Sequence, residues 1–160
     1  MKNNRYSISI RHALMLLVLL LGFPSLGYAV DDTWKYVYEN GLEYSINVTQ
    51  GYAVCSDNGA SGSIVIPSSI YYKNHKKYYP VTKIGSFRNC SGIISVTIPK
   101  GVTSIFECAF MDCSSLTSIT IPEGVTSIGY STFSGCKSLT SITIPEGVTS
   151  IENEVFKNCI

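Results

Sequence analysis

The chain has 160 residues, of which 45% are apolar and 14% charged, and its 12 Lys and Arg residues against 11 Asp and Glu give a net charge of +1. This length suits one domain or a short stack of repeats and is too short for a multidomain enzyme. The composition excludes a disordered chain, the balanced charge provides no basic field for nucleic acid, and two histidines leave little for metal or acid–base chemistry.

The first 29 residues have the three-part pattern of a secretory signal peptide. A basic start precedes an uninterrupted apolar run at 13–23, and small residues follow at 27 and 29. A membrane-spanning helix needs about 20 apolar residues, so we expect this run to leave with the signal. The sequence therefore predicts a secreted or cell-surface protein whose mature chain begins near Val30, with 9 basic and 11 acidic residues and a net charge of −2.

Residues 30–63 are predicted to form a β-rich N-terminal cap. Two segments of alternating pattern, 34–38 and 42–48, flank Asn40-Gly41, which is the most favourable two-residue hairpin turn. A third short strand is expected at 52–55. A cap is needed because the first repeat unit would otherwise expose its apolar edge to water.

From residue 93 the sequence repeats with a period of 23, in units 93–115, 116–138 and 139–160. Residues 64–92 form a degenerate first unit, interrupted by an insertion at 71–80 and with only two residues between Ile84 and Phe87, where later units have four. The repeated residues are Pro99, Pro122 and Pro145; Phe110, Phe133 and Phe156; and Cys90, Cys113, Cys136 and Cys159.

Within a unit, the apolar spacing predicts the local structure. Leu116, Ile119 and Ile121 mark a strand that ends at a proline, because proline cannot extend a paired ladder. Residues 125–128 form a second short extended piece. Residues 129–136 carry Phe133 and Cys136 three positions apart, which favours a helical or 3-10 turn.

The consensus L-x-x-I-x-I-P-x-x-V-x-x-I-G-x-x-x-F-x-x-C resembles the BspA-type (treponemal-type) leucine-rich repeat over residues 64–160. The resemblance implies a leucine-rich-repeat solenoid that is β-rich, with short helical or 3-10 turns on its convex side and a β-hairpin N-terminal cap. It also implies a surface or secreted protein that adheres to proteins of a host or neighbouring cell, with extracellular-matrix glycoproteins as the expected partners.

Serine and threonine at the outward positions of each repeated strand form the first candidate partner-binding surface, which we name the hydroxyl face. Concave repeat faces commonly bind partners. The alternative is a solvated, β-favouring face, since Ser and Thr are poor interface hot spots. The hydroxyl face comprises Ser95, Thr97, Ser118, Thr120, Ser141 and Thr143.

Basic and aromatic residues are mixed in the insertion of the first unit, which we name the contact loop. Such a mixture also occurs in proteins that bind single-stranded nucleic acid. The predicted export and the net charge of −2 favour instead a β-hairpin with Lys and His at its tip, whose exposed Tyr and basic side chains suit protein recognition. The contact loop comprises Tyr71, Tyr72, Lys73, His75, Lys76, Lys77, Tyr78 and Tyr79.

The 23-residue cysteine ladder is predicted to be a column of buried thiols. Equivalent Cβ atoms on adjacent units would lie about 4.8 Å apart, wider than the ~3.8 Å of a disulfide. Cys55 and Cys108 lie off the ladder, and their pairing is open. With no C-x-x-C pair, no glycine-rich phosphate loop and His75 as the one histidine of the mature chain, we predict no catalytic residues, no metal site and no cofactor.

These features together predict a non-catalytic protein-binding module, and the alternative is a structural or truncated repeat fragment with no ligand of its own. The expected partner is a host or neighbouring-cell surface or matrix protein. Neither nucleic acid nor a membrane span after signal cleavage is expected. The last unit of this sequence has no polar cap, so self-association through its apolar edge is a further expectation.

Overall fold

The computed structural model describes residues 34–56 and 59–159, which are built mainly from short β-strands and turns. The predicted signal peptide at 1–29 lies outside these residues and stays a prediction. Within the described part, no helix is long and apolar enough to cross a membrane. The strands are β1 (Trp34–Glu39), β2 (Leu42–Asn47), β3 (Tyr52–Ser56), β4 (Gly62–Val65), β5 (Ser69–Tyr72), β6 (Lys77–Ile84), β7 (Ile93–Thr97), β8 (Ser104–Ile105), β9 (Ser118–Thr120), β10 (Ser127–Ile128) and β11 (Ser150–Ile151).

The first three strands form an antiparallel meander. Asn40 and Gly41 join β1 to β2, and their φ angles of 53° and 82° match a type I′ turn, whose twist agrees with that of the flanking strands. On β2, Leu42, Tyr44 and Ile46 are buried and alternate with less buried residues. The hairpin thus lies where the sequence places it, and its inner face supplies the first layer of the core.

The meander continues into the repeat units through parallel pairing. β3 pairs with β6, and β6, β8, β10 and β11 follow in the same eight-stranded sheet, to which β5 is joined through β6. The register places Ile105 beside Ile84 and Ile128, and Ile128 beside Ile151. Ile84 and Ile105 are 21 residues apart, whereas the later paired isoleucines are 23 residues apart. The difference equals the two residues that the first unit lacks between Ile84 and Phe87.

A second, three-stranded sheet is formed by other segments of the same units. β4, β7 and β9 pair in parallel, and a bridge between Thr120 and Thr143 extends the row into the last unit. Val96 and Ile119 point inward and are buried. β4, β7 and β9 each end two residues before a proline, which has no N–H to continue the ladder.

Phenylalanines at the repeat spacing form a continuous stack through the core. The ring centroids of Phe87, Phe110, Phe133 and Phe156 are 5.4, 5.7 and 5.8 Å apart in succession, with interplanar angles of 10° or less. The first three rings are fully buried, whereas Phe156 in the last unit is 38% exposed. One aromatic residue per unit therefore links the apolar layers of successive units into one core.

The cysteine ladder runs beside this stack as hydrogen-bonded thiols. Cys113, Cys136 and Cys159 each donate to the carbonyl oxygen of the phenylalanine in the preceding unit, at Sγ–O distances of 3.2, 3.1 and 3.0 Å. Within the described residues, Cys108, Cys113, Cys136 and Cys159 are free thiols. Burial raises the pKa of Cys113 and of Cys136 to about 12, so both remain protonated donors at neutral pH.

Residues 129–136 form a series of turns and no continuous helix. Thr132, Ser134 and Cys136 each donate to the carbonyl oxygen three residues earlier, which is the hydrogen bond of a 3-10 turn. Ser131 and Gly135 have φ angles of 52° and 75°, and such left-handed residues interrupt a 3-10 helix. Their N–H groups and that of Phe133 donate to carbonyl oxygens of the next unit. Hydrogen bonds between units therefore alternate with the local turn bonds. Equivalent left-handed positions recur at Asn89, Cys108, Asp112, Glu154 and Asn158.

One of these turn positions gives a testable prediction. Asp112 has a φ of 60° at the place that Gly135 occupies in the next unit, and a Cβ in the left-handed region costs about 1–2 kcal/mol. We expect Asp112→Gly to be more stable than Asp112→Ala by about 1 kcal/mol, measured as the free energy of unfolding in urea. An alanine variant as stable as the glycine variant would contradict this explanation.

Candidate functional site

The structure brings the hydroxyl face together as two outward rows. Ser95 pairs with Ser118 across β7 and β9, and Thr97 pairs with Thr120, which bridges in turn to Thr143. Ser141 is exposed on the last unit. Regular pairing at the strand spacing thus presents the same two hydroxyl groups from each of three units.

The hydroxyl groups of this face have no hydrogen-bond partner among the described residues of the protein. The set is Ser95, Thr97, Ser118, Thr120, Ser141 and Thr143, and none of them is engaged with another side chain or carbonyl. Threonines elsewhere differ, because the hydroxyl of Thr117 donates to the Ile94 carbonyl at 2.9 Å and that of Thr149 to the Thr126 carbonyl at 3.3 Å. The hydroxyl face is therefore available to solvent or to a ligand.

The structure also extends this face by one strand that the sequence interpretation did not include. β4 pairs with β7 so that Ser63 lies beside Ser95 and Val65 beside Thr97. Val65 is 71% exposed, so an apolar side chain continues the threonine row. The signal was present in the sequence, since Ser63-Ile64-Val65-Ile66-Pro67 has the same order as Ser95-Val96-Thr97-Ile98-Pro99.

The contact loop is a β-hairpin with a polar tip. β5 and β6 pair antiparallel and place Tyr71 directly opposite Tyr78, with ring centroids 4.9 Å apart and exposures of 41% and 65%. A single 3-10 turn, Lys73–His75, and the left-handed Lys76 close the tip. The exposed tyrosine pair lies one to two residues behind a tip made of lysine, asparagine and histidine.

Contacts among Tyr72, His75 and Tyr79 hold the opposite side of this hairpin together. Tyr79 is only 2% exposed, and its hydroxyl lies 2.8 Å from Nδ1 of His75. The rings of His75 and Tyr72 meet edge to face at 4.9 Å. Among the contact-loop residues, Tyr79 thus belongs to the core, and His75 serves the packing of the hairpin.

A third cluster joins the first strand to the repeats and was missed by the sequence analysis. The rings of Trp34 and Tyr52 meet edge to face at 6.1 Å, and Nζ of Lys83 lies 4.3 Å from the Tyr52 ring centre and 3.1 Å from its hydroxyl. This contact depends on the parallel pairing of β3 with β6, which nothing in the local sequence indicates.

Turns such as residues 129–136 form one side of the units, which we name the turn side. It carries a shallow groove of about 300 Å³, lined in part by Arg88, Tyr130, Glu154 and Lys157. The Tyr130 hydroxyl and Nζ of Lys157 donate to Glu154 at 2.9 and 3.0 Å. These bonds, first that from Lys157 and then that from Tyr130, hold the pKa of Glu154 below its usual value. The groove's polar groups therefore largely satisfy one another.

Nowhere in residues 34–56 and 59–159 do three or more His, Cys, Asp or Glu side chains gather as metal ligands would.

Comparison with known proteins identifies the repeat. The model of the BspA type leucine-rich repeat region matches residues 82–160 in six copies. A leucine-rich repeat protein from Bacteroides capillosus ATCC 29799 is 31% identical, over 78% of this chain and 94% of that one, with a TM-score of 0.70. The chain belongs to the BspA-type leucine-rich repeat family.

Two further solved structures of leucine-rich repeat proteins share the architecture. The one from Bacteroides ovatus ATCC 8483 is 34% identical over 81% of this chain, which spans a third of that protein, with a TM-score of 0.63. The T. pallidum leucine-rich repeat protein, at 21% identity over 81% of this chain and 66% of its own, with a TM-score of 0.53, shows the same fold. No curated protein matches the sequence significantly. As a BspA-type protein the chain is β-rich with almost no helix, and leucine-rich repeats generally mediate protein interactions.

Proposed function

We propose that this BspA-type protein is an exported, non-catalytic adhesin: a leucine-rich-repeat solenoid with a β-hairpin cap that binds surface or matrix proteins of a host or neighbouring cell. The observation that carries the proposal is the row of unengaged hydroxyls on the outward side of β7 and β9, fixed in register by parallel pairing. Binding to such a face would need no rearrangement, because the strands beneath it are already ordered.

Two other exposed features offer what serine and threonine lack as interface residues. Val65 adds an exposed apolar side chain to the threonine row. Tyr71 and Tyr78 add exposed aromatic area, and tyrosine is enriched where interfaces gain most of their binding energy. A protein partner that covers the hydroxyl face and Val65 would meet both hydrogen-bonding groups and an apolar anchor, and the tyrosines are further anchors for a partner that also reaches the contact loop.

Export is supported by the signal-like pattern of residues 1–29. Self-association of the chain studied alone is supported by the last unit, where Ile151 and Phe156 are 50% and 38% exposed although their equivalents Ile128 and Phe133 are fully buried. A second copy that covers these side chains would bury apolar surface, with a gain of about 25 cal/mol per Å².

The proposal is tested with purified residues 30–160 and two immobilised matrix glycoproteins, fibronectin and laminin. We expect saturable binding to at least one of them, and we expect Thr97→Gln/Thr120→Gln on the hydroxyl face to weaken it at least tenfold. Thr103→Gln/Thr126→Gln places the same change on the same two units but outside that face, and should leave the affinity within twofold.

Two outcomes would count against the proposal. Absence of binding to either glycoprotein by the folded chain would favour the alternative, a structural repeat fragment with no ligand of its own. Equal loss in both threonine double variants would place the binding surface away from the hydroxyl face.

A further inference from the structure

Charge is strongly segregated along the chain, although the total is nearly balanced. From Gly59 to Phe106 there are six basic residues and no acidic one, whereas from Glu107 to Cys159 there are six acidic residues and two basic ones. The first stretch therefore carries +6 and the second −4. The contact loop lies within the first stretch, and residues 71–80 contain no acidic side chain.

The contact loop concentrates this positive charge at its tip. Lys73, Lys76 and Lys77 fall within five residues, all three are exposed, and none forms an ion pair with any described residue. β5 pairs with β6 alone, so the tip is not covered by another strand of the described chain. Behind the tip lies the exposed pair of Tyr71 and Tyr78.

We propose that the contact loop binds a sulfated polysaccharide of the glycosaminoglycan type. Lysine ammonium groups are compact point charges that suit the scattered sulfates of such a chain. The tyrosine pair offers an apolar surface for the sugar faces between the sulfates. A thin hairpin can serve a linear polyanion, which needs a few charges in line and not a broad complementary surface.

Other anionic partners fit the same residues less well. A protein interface buries about 800 Å² per partner and involves some 20–30 residues, whereas the loop presents eight exposed residues, 71, 73–78 and 80. Nucleic acid favours arginine for phosphate recognition and free aromatic faces for bases. The hairpin has no arginine, and the rings of Tyr71 and Tyr78 contact each other at a tilt, with centroids 4.9 Å apart. An anionic membrane attracts each lysine by only about 1 kcal/mol, and the tip has no apolar side chain to insert, so such a surface would be bound weakly.

Polysaccharide binding goes beyond the proposed protein binding, although both use the contact loop. Different variants distinguish the two proposals. Binding of residues 30–160 to immobilised heparin is measured against salt concentration. The double variant Lys73→Glu/Lys76→Glu removes tip charges, and Lys137→Glu/Lys157→Glu makes the same change in net charge within the acidic units. Thr97→Gln/Thr120→Gln reports on the hydroxyl face alone.

We expect the tip variant to lose at least tenfold in heparin affinity and to show a smaller dependence of affinity on salt, while the matched lysine variant and the threonine variant stay within threefold. Circular dichroism should show all variants equally folded, since the altered residues are exposed. Equal loss in the two lysine variants would overturn the proposal. So would tighter binding of the wild-type chain to a 20-residue oligothymidylate, to phosphatidylserine vesicles or to polyglutamate than to heparin.

Discussion

Replacing Phe133 by alanine is expected to lower the free energy of unfolding by about 3–5 kcal/mol, the usual cost of removing a large buried aromatic side chain. Phe133 is fully buried and stacks on both sides, at 5.7 Å from Phe110 and 5.8 Å from Phe156. Its loss would leave a cavity between two units and uncouple the layers above and below. Urea unfolding followed by circular dichroism measures the change.

Phe156→Ala is the matched control, because it removes the same side chain one unit later. Phe156 stacks on one side only and is 38% exposed, so its loss should cost about 1–2 kcal/mol. Equal losses in the two variants would mean that the stack does not couple the units as the structure indicates.

Alkylation of the folded chain at pH 8 is expected to label Cys108 within minutes and to leave Cys113 and Cys136 unlabelled. Burial raises the pKa of the latter two thiols from the ordinary 9.0 to about 12, which lowers their thiolate fraction about a thousandfold. Their sulfurs are also hydrogen-bonded to carbonyl oxygens inside the core. Cys108 is partly exposed in a turn.

Timed reaction with iodoacetamide, followed by mass spectrometry of the peptides, measures each site. The same reaction in urea provides the control, because all three cysteines should then react at similar rates. Labelling of Cys136 in the folded chain as fast as Cys108 would show that the cysteine ladder is not a closed part of the core.

The period of 23 was sufficient to predict the family and the strand register. Each consensus residue occurs once per unit, so residues 23 positions apart lie side by side in the stack. The pairing of Ser95 with Ser118 and the stack of Phe110 on Phe133 follow from this rule. The hairpin at Asn40-Gly41 was equally predictable, since its turn residues can adopt the positive φ angles that the structure shows.

The features that sequence analysis missed depend on hydrogen bonds or contacts between distant segments. The spacing of Phe133 and Cys136 favours a local turn, and the Cys136 N–H does donate to the Phe133 carbonyl. The alternate N–H groups of the segment bond to the next unit, which no local rule predicts. Tyr78 and Tyr79 are adjacent residues of the same type, so composition does not distinguish them. The pairing of β5 with β6 determines that Tyr79 faces inward.

The net charge of the whole chain also conceals how charge is distributed along the sequence. A whole-chain charge of +1 excludes a uniform basic surface, but it hides a +6 stretch followed by a −4 stretch. Position along a repeat stack corresponds to position in space, because each unit contacts mainly its neighbours. Charge in such a protein is therefore better counted unit by unit.

The most direct test of the adhesin proposal is hydroxyl-radical footprinting of residues 30–160 with and without saturating fibronectin or laminin, whichever binds. Val65, Tyr71 and Tyr78 report on the hydroxyl face and the contact loop, and Phe106 and Tyr130, which are 42% and 41% exposed, report on the turn side of the units. We expect the partner to reduce oxidation of the first three side chains and to leave the last two unchanged. Protection of Phe106 and Tyr130 with undiminished oxidation of Val65 would contradict the assignment of the binding surface.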